Sequence, residues 1–506
     1  MRKPIVLTAL CLVAGYAWSQ DVPEYCLEND IVHSYLTDFE YPDGDYTYSK
    51  VLDYTSVKVD YKRDWPKPVP FSWTAGTGAS SQRITVSENE DLTDSIVVSV
   101  KAGVSSYDLY NLIPQRTYYY KIESVKADGS TVELKTGSFK TTGTVRMIRA
   151  DGAFNVRDMG GWKGLGGHPL RYGVLFRGSR LRSNRSNNII IKEDGIEALR
   201  AVGIRAELDL RTNDEANNNN VSPLSKSGDV EYKRINDSWK SRIVTFDENE
   251  SSIIGIQYII DWFKAGKPAY FHCSVGADRT GTVAFLIGAL CGMSENDLSK
   301  EFELTSFSED NIGENLTRRR SYEGRLDDSN ETYRYGTMID KVNALGGNTI
   351  QRKIYNHLKS GINGKSISEE DLDWLIEYMV DYRIVKKLTV KPSTSQTITV
   401  GDQVQFKTTY TPADATETNI SYRTLNEAVA TVSETGLLTA VGAGSTYLYV
   451  SMDGLAKTVK ITVKDDTGVS AISSDETPLP MFNAAGQQIS APTGIYIRNG
   501  KKYINK

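Results

Sequence analysis

A thiol and a guanidinium stand six positions apart in YFHCSVGADRTGT, the segment that occupies positions 270–282. Cys273 ends an apolar run, and a helical pattern of apolar residues follows Arg279 directly. A strand that leads through a short loop into a helix directs backbone N–H groups and the positive helix end at one place. The pattern therefore predicts a cradle for an anion such as phosphate, rather than only the end of a buried strand.

The residue types of this loop suit phosphate chemistry. The field of the cradle is expected to hold the pKa of Cys273 below that of free cysteine, and the thiolate is the nucleophile. Arg279 offers a planar fork for two phosphoryl oxygens, and Thr280 can donate its hydroxyl proton to the thiolate. Gly276 lets the loop turn where a Cβ would collide with substrate, and His272 is expected to fix the loop from behind. The predicted substrate-binding residues are Ser274, Val275, Gly276, Ala277 and Thr280.

Hydrolysis also needs an acid for the leaving oxygen and a base for the attacking water. Asp278 lies in the loop itself. Asp237 follows the strand pattern VEYKRI, 36 residues before Cys273. The residues alone leave both candidates open.

The elements around the cradle alternate between strand and helix patterns from about residue 145, which indicates an α/β layer fold. Strand patterns cover 172–178, 203–211, 230–235 and the segment AYFHC. Helix patterns cover 192–201, 252–266 and 279–290, with later helix starts at Ser294 and Ser368. On both sides of this domain, short alternating runs predict β-sandwiches over 45–143 and 386–464, with a β-segment at 480–506. The predicted fold class is a multidomain chain with a central α/β domain flanked by β-sandwiches.

The whole composition restricts the function classes. The 506 residues carry a formal charge of −5, so no basic excess favours nucleic acid as a partner. Residues 1–19 read as a secretory signal peptide, and no later apolar run is long enough for a membrane span, so an exported protein is expected. Of the four cysteines, Cys11 leaves with the signal and Cys291 reads as a buried apolar residue. The dispersed histidines give no case for a metal site, and no cofactor is predicted.

The loop HCSVGADRTG resembles the His-Cys-x5-Arg-Ser/Thr signature of cysteine-dependent protein tyrosine phosphatases, and more narrowly the bacterial tyrosine/serine phosphatase family. The segments NVRDMGG (155–161), YGVLFRGSRL (172–181) and ELDLRTNDE (207–215) resemble further motifs of that family in the same order. The resemblance covers about 145–382. It favours Asp278 as the acid, because this residue matches a family position. The loop lysine common in the family is Ala277, which argues against phosphoinositide preference.

The flanking modules carry their own resemblances. LYNLIPQRTYYYKI (109–122) resembles a segment of fibronectin type III domains, and residues 430–445 resemble a bacterial immunoglobulin-like group 2 domain. The latter family implies spacer or adhesion roles, so contact with a cell surface or glycan is an expected partnership. The C-terminal tail resembles the β-segment of exported Bacteroidetes proteins.

Three functions remain open from the sequence. The favoured one is an exported, metal-independent phosphatase that acts on phosphotyrosine or phosphoserine proteins, or on small phosphomonoesters, through a phosphocysteine intermediate. The second is an inositol phosphate or phosphoinositide phosphatase of the same chemistry. The third is a surface protein that binds phosphate groups without catalysis.

Overall fold

The computed structural model describes residues 22–38, 40, 54, 57–219, 221–235, 246–308 and 335–465, and four strands between 481 and 505. The predicted signal peptide and Asp237 lie outside the described residues. The helices are α1 (Asp30–Thr37), α2 (Glu193–Ala201), α3 (Ser251–Lys264), α4 (Asp278–Leu290), α5 (Glu295–Glu303), α6 (Tyr335–Ala344), α7 (Ile350–Ser360) and α8 (Glu369–Val380).

An N-terminal β-sandwich pairs a five-stranded sheet, ordered β1-β7-β6-β3-β4, with a two-stranded sheet, β2-β5. Its strands are β1 (Glu24–Cys26), β2 (Val69–Ser72), β3 (Ser81–Ser87), β4 (Ile96–Lys101), β5 (Ser106–Leu109), β6 (Thr117–Val125) and β7 (Thr131–Thr142). Val69 and Phe71 of β2 are buried while Pro70 and Ser72 are exposed, as a half-buried strand requires. The structure adds β1, which the sequence did not predict and which runs parallel to β7.

A five-stranded sheet in the order β11-β10-β12-β9-β8 forms the centre of the α/β domain. Its strands are β8 (Arg157–Asp158), β9 (Leu175–Gly178), β10 (Ala206–Asp209), β11 (Glu231–Arg234) and β12 (Ala269–His272). All neighbours run parallel except β8, which is antiparallel to β9. The carboxyl ends of four parallel strands therefore meet at one edge, where ligand sites of open α/β sheets form.

The helices supply the core that holds this sheet. All thirteen residues of α4 are buried, so it is a core helix rather than an amphipathic surface helix. Val32 and Tyr35 of α1 belong to the same apolar core as α3 and α4, so the N-terminal segment is part of this domain's packing. Ser294 and Ser368 cap α5 and α8 by accepting hydrogen bonds from backbone N–H groups, which confirms both predicted helix starts. No helix within the described ranges is long and apolar enough to cross a bilayer.

The C-terminal region forms a second compact unit. Its strands form sheets ordered β14-β21-β20-β17, β15-β19-β18 and β13-β16. They are β13 (Lys387–Lys391), β14 (Gln396–Thr399), β15 (Gln403–Gln405), β16 (Lys407–Thr411), β17 (Ser421–Thr424), β18 (Ala430–Val432), β19 (Leu437–Ala440), β20 (Gly444–Met452) and β21 (Leu455–Lys464). The tail adds a sheet ordered β23-β22-β24-β25, built from β22 (Met481–Asn483), β23 (Gln488–Ile489), β24 (Gly494–Arg498) and β25 (Lys501–Asn505).

Candidate active site

The predicted strand, loop and helix around Cys273 are present as expected. Strand β12 ends at His272, and α4 begins at Asp278 with Ala277 as its N-cap. Gly276 has a φ of +72°, and a Cβ at this position would lie 2.4 Å from the carbonyl oxygen of Gly178. Glycine is therefore required by backbone conformation and by packing against Gly178, whereas the sequence suggested collision with substrate.

The carbonyl groups of the loop are held from behind by buried side chains. Arg180 Nη1 donates to Ser274 O at 2.7 Å. Asn155 Nδ2 donates to Val275 O at 3.2 Å and to Gly276 O at 3.0 Å. Because the C=O and N–H of a trans peptide point in opposite directions, the N–H groups of residues 275–277 are directed to the other side of the loop. Several amides on one side of a loop that enters a helix make an anion cradle.

The thiol of Cys273 is 2% exposed and has a lowered pKa. Burial by itself raises this pKa, and so does the nearby charge of Asp278. The positive charge of Arg279 and the hydroxyl and backbone N–H of Thr280 outweigh them and lower the pKa of Cys273 to about 7. A substantial fraction of the thiol is therefore thiolate near neutral pH, as the sequence predicted.

Arg279 is held in place by a carboxylate that the sequence did not assign. Glu215 accepts from Arg279 Nη1 at 2.7 Å and from Nη2 at 2.9 Å, and Leu210 O accepts a further hydrogen bond from Nη1 at 3.1 Å. Burial raises the pKa of Glu215, but Arg279 lowers it below the ordinary value overall. This two-point contact fixes the guanidinium plane beside the thiol. Glu215 is the last residue of the segment ELDLRTNDE. The resemblance of that segment to a family motif is the sequence signal that could have identified Glu215 as a site residue.

His272 supports the loop from behind, as predicted. Its Nδ1 lies 3.0 Å from Cys273 O, and its Nε2 lies 3.0 Å from Glu207 Oε1. Both partners are acceptors, so the imidazolium form can donate to both. Burial lowers the pKa of His272, but the carboxylates of Asp209 and Glu207 raise it above its ordinary value. The two carboxylates therefore favour the positive form of His272 behind the cradle.

A buried ionic network lies beneath the loop. Glu301 of α5 accepts from Arg157 Nε at 2.9 Å and from Arg177 Nη1 at 2.6 Å, while Arg177 Nη2 donates to Gly276 O at 2.7 Å. Arg211 also forms a buried ion pair with Asp209, in which Arg211 Nη2 lies 2.7 Å from Asp209 Oδ2. Arg177 and Arg211 thus have structural roles.

Of the two candidate acids, Asp278 lies among the described residues. Asp278 is 3% exposed at the first position of α4, and its charge acts on Cys273. Asp237 lies outside the described residues, so the choice between them stays a prediction.

One group of potential metal ligands occurs among the described residues, and it lies in the N-terminal segment. Cys26 Sγ is 3.6 Å from His33 Nδ1, which is 2.8 Å from Glu28 Oε2. Glu28 Oε1 accepts from the backbone N–H groups of Thr144 and Val145 at 2.6 and 2.7 Å.

Comparison with known proteins agrees with this geometry. Residues 148–352 match the family described as the tyrosine phosphatase family, and residues 384–470 match the bacterial Ig-like domain (group 2). A Cupriavidus necator protein named "Putative tyrosine-protein phosphatase" is 26% identical over 163 residues, which cover 28% of this chain and 57% of that protein. The chain thus spans little more than half the length of this relative. Both predicted family resemblances are confirmed, and the fibronectin type III resemblance stays a prediction.

Two solved structures match the chain only weakly. Domains 4 and 5 of the S-layer protein SbsC are 21% identical, covering 16% of this chain and 52% of that one, with a TM-score of 0.15. The twitchin kinase region from C. elegans is 10% identical, covering 79% of this chain and all of that one, also with a TM-score of 0.15. Scores at this level establish no shared fold.

Proposed function

We propose that this chain, whose central domain matches the tyrosine phosphatase family, is an exported cysteine-dependent phosphatase acting on tyrosine- or serine-phosphorylated proteins. The observation that carries the proposal is the lowered pKa of the buried Cys273 thiol at the base of an anion cradle. A structural thiol in apolar surroundings would have a raised pKa instead.

The proposed reaction has two steps. The Cys273 thiolate attacks phosphorus, the P–O bond to the substrate breaks, and an aspartate gives its proton to the leaving oxygen. Water then attacks the phosphocysteine, the aspartate takes a proton from that water, and phosphate leaves as the thiolate reforms. Loop amides and Arg279 hold the charge on the equatorial oxygens in both steps.

A metal-free assay with a small aryl phosphate tests this chemistry. Wild-type protein should hydrolyse the ester in the presence of EDTA, and Cys273→Ser should not. Turnover that survives Cys273→Ser, or that disappears with EDTA, would contradict the mechanism. A folded wild-type protein that binds phosphate but never turns over would instead support the non-catalytic phosphate-binding alternative.

The acid can be identified by pH–rate profiles of Asp278→Asn and Asp237→Asn. The variant that lacks the acid should lose the basic limb of the profile, because no proton then reaches the leaving group. We favour Asp278 because it lies in the loop and matches the acidic position of the family motif. Retention of the basic limb in Asp278→Asn would transfer the role to Asp237.

Protein substrates are favoured over inositol phosphates because Ala277 brings no charge to the loop. A panel of phosphotyrosine and phosphoserine peptides, phosphoinositides and inositol phosphates, compared by kcat/KM, tests this preference. Higher kcat/KM for a polyphosphorylated inositol than for every peptide would reverse it.

Export is supported by the N-terminal pattern of Arg2 and Lys3, a short apolar run and the small-residue site at Ala17-Trp18-Ser19. Mass measurement of the protein recovered from its native host should give a chain beginning near Gln20. An intact N-terminus in the cytoplasm would contradict export.

A further inference from the structure

Asp64 is a buried carboxylate that lies outside the tyrosine phosphatase match, in the segment before β2. It is 3% exposed. Its Oδ2 accepts from the backbone N–H of Asn155 at 2.8 Å and from the hydroxyl of Ser308 at 2.8 Å. Burial raises the pKa of Asp64, although both hydrogen bonds act in the opposite direction. Burial of a carboxylate is costly because the group loses its hydration. This cost indicates that the contacts of Asp64 with the neighbouring domain have a role.

Asn155 connects this carboxylate to the phosphate loop. Its backbone has a φ of +57°, a left-handed conformation that asparagine tolerates better than most residues. The Nδ2 of the same residue donates to Val275 O and Gly276 O, the carbonyls whose anchoring directs the loop amides to the ligand side. Asp64 is therefore two hydrogen bonds away from the cradle.

The segment that carries Asp64 is itself held at both neighbouring residues. Asn29 Nδ2 donates to Arg63 O at 2.7 Å and to Trp65 O at 2.9 Å. The guanidinium of Arg149 lies 4.5 Å from the centre of the Trp65 ring, a cation–π contact with the catalytic domain. Backbone and ring contacts on either side leave the carboxylate little freedom, so its position can define that of Asn155.

We propose that Asp64 is a positioning residue for the phosphate cradle, so that the N-terminal segment is a working part of the catalytic unit. The proposal rests on the proposed phosphatase function for its effect on turnover. Its effect on loop geometry can be measured without turnover. Loss of the Asp64 contact frees Asn155 to leave its left-handed conformation, which releases Val275 O, leaves Gly276 O with the Arg177 contact alone, and misaligns the amides.

The test compares Asp64→Ala with Asp64→Asn in the full chain, with the exposed Asp60→Asn as a matched control. Four quantities are measured: kcat and KM for an aryl phosphate, inhibition by vanadate, and the pH midpoint of Cys273 alkylation. Asp64→Ala should lower kcat by about ten- to a hundredfold with little change in KM, because misplaced groups cost most in the transition state. Vanadate inhibition should weaken, and the alkylation midpoint should rise.

Asp64→Asn keeps an oxygen that can accept both hydrogen bonds, so it should retain most of the wild-type kcat and alkylation midpoint. A folded Asp64→Ala protein with wild-type kcat, vanadate inhibition and alkylation would overturn the proposal.

If Asp64→Ala does not fold, the variant Asn155→Gly provides the test. Glycine accepts the left-handed backbone and keeps the N–H to Asp64, but it lacks the Nδ2 donor. An unchanged alkylation midpoint in Asn155→Gly would then overturn the proposal, while an inactive wild type would contradict only the proposed function.

Discussion

A buried cysteine lies near each end of α4, and the pKa values of the two thiols are shifted in opposite directions. Cys273, just before the N-terminal end, has its pKa lowered to about 7. Cys291, at the C-terminal end, has its pKa raised to about 12 by burial alone. Burial acts on both, so the difference comes from Arg279 and Thr280, which only the first thiol has nearby. A buried thiol therefore becomes a nucleophile through its charged and donating neighbours.

The largest expected effect separates the two cysteines directly. Cys273→Ser should lower kcat for an aryl phosphate by at least about a thousandfold, because it removes the nucleophile. Cys291→Ala should keep kcat within about twofold and lower the free energy of unfolding by about 1 kcal/mol, as expected of a small core truncation. Steady-state kinetics and urea unfolding of both variants check this contrast. A comparable loss of activity in Cys291→Ala would contradict the predicted contrast between the two cysteines.

Buried charged residues support the N-terminal end of α4, whereas the surroundings of its C-terminal end are apolar. Glu301→Ala leaves Arg157 and Arg177 buried without their shared carboxylate, so the free energy of unfolding should fall by about 3–5 kcal/mol. Asp214→Ala removes an exposed ion pair with Arg185, whose side chains are both 75% exposed, and should cost at most about 1 kcal/mol. Denaturant unfolding compares them, and equal losses would contradict a role for the buried network.

Arg279 is the group that makes the two thiols different. Arg279→Lys keeps a positive charge but loses the fork that pairs with Glu215, so kcat/KM should fall by about a hundredfold while the Cys273 pKa stays below its ordinary value. Arg279→Ala should additionally raise that pKa. Arg205→Lys, at an exposed position, is the matched control. Wild-type kcat/KM in Arg279→Lys would show that the fork is dispensable.

The smallest expected effect concerns substrate choice at the N-cap of α4. Ala277→Lys adds one positive charge, so kcat/KM for an inositol polyphosphate should rise by a few-fold at low salt, and the gain should diminish as salt is added. The ratio to a phosphotyrosine peptide is the quantity to follow. An unchanged ratio would remove Ala277 as a determinant of specificity.

The sequence predicted the parts of the cradle that are contiguous in the chain. Strand β12, the loop glycine and the start of α4 were all expected, because each follows from local residue types. The partners Glu215, Glu301 and Asp64 were not assigned, because their roles depend on packing between segments far apart in sequence. Asp64 lies 91 residues from Asn155, and nothing in its local pattern indicates a buried carboxylate. Strand β1 was missed for the same reason, since only its pairing with β7 defines it.

The most direct test of a thiolate nucleophile in the cradle is the pH dependence of iodoacetamide alkylation, followed by mass spectrometry of the peptides that carry Cys26, Cys273 and Cys291. Because the thiolate reacts, Cys273 should become reactive as pH rises through about 7. Phosphate or vanadate should slow its alkylation, and Cys291 should stay unreactive in the folded protein. Cys26, whose pKa is raised by burial and by Glu28, is the internal reference that should react only at higher pH. A Cys273 midpoint at or above about 8.5, the value of an unperturbed thiol, with no protection by vanadate, would contradict the cradle as a catalytic site.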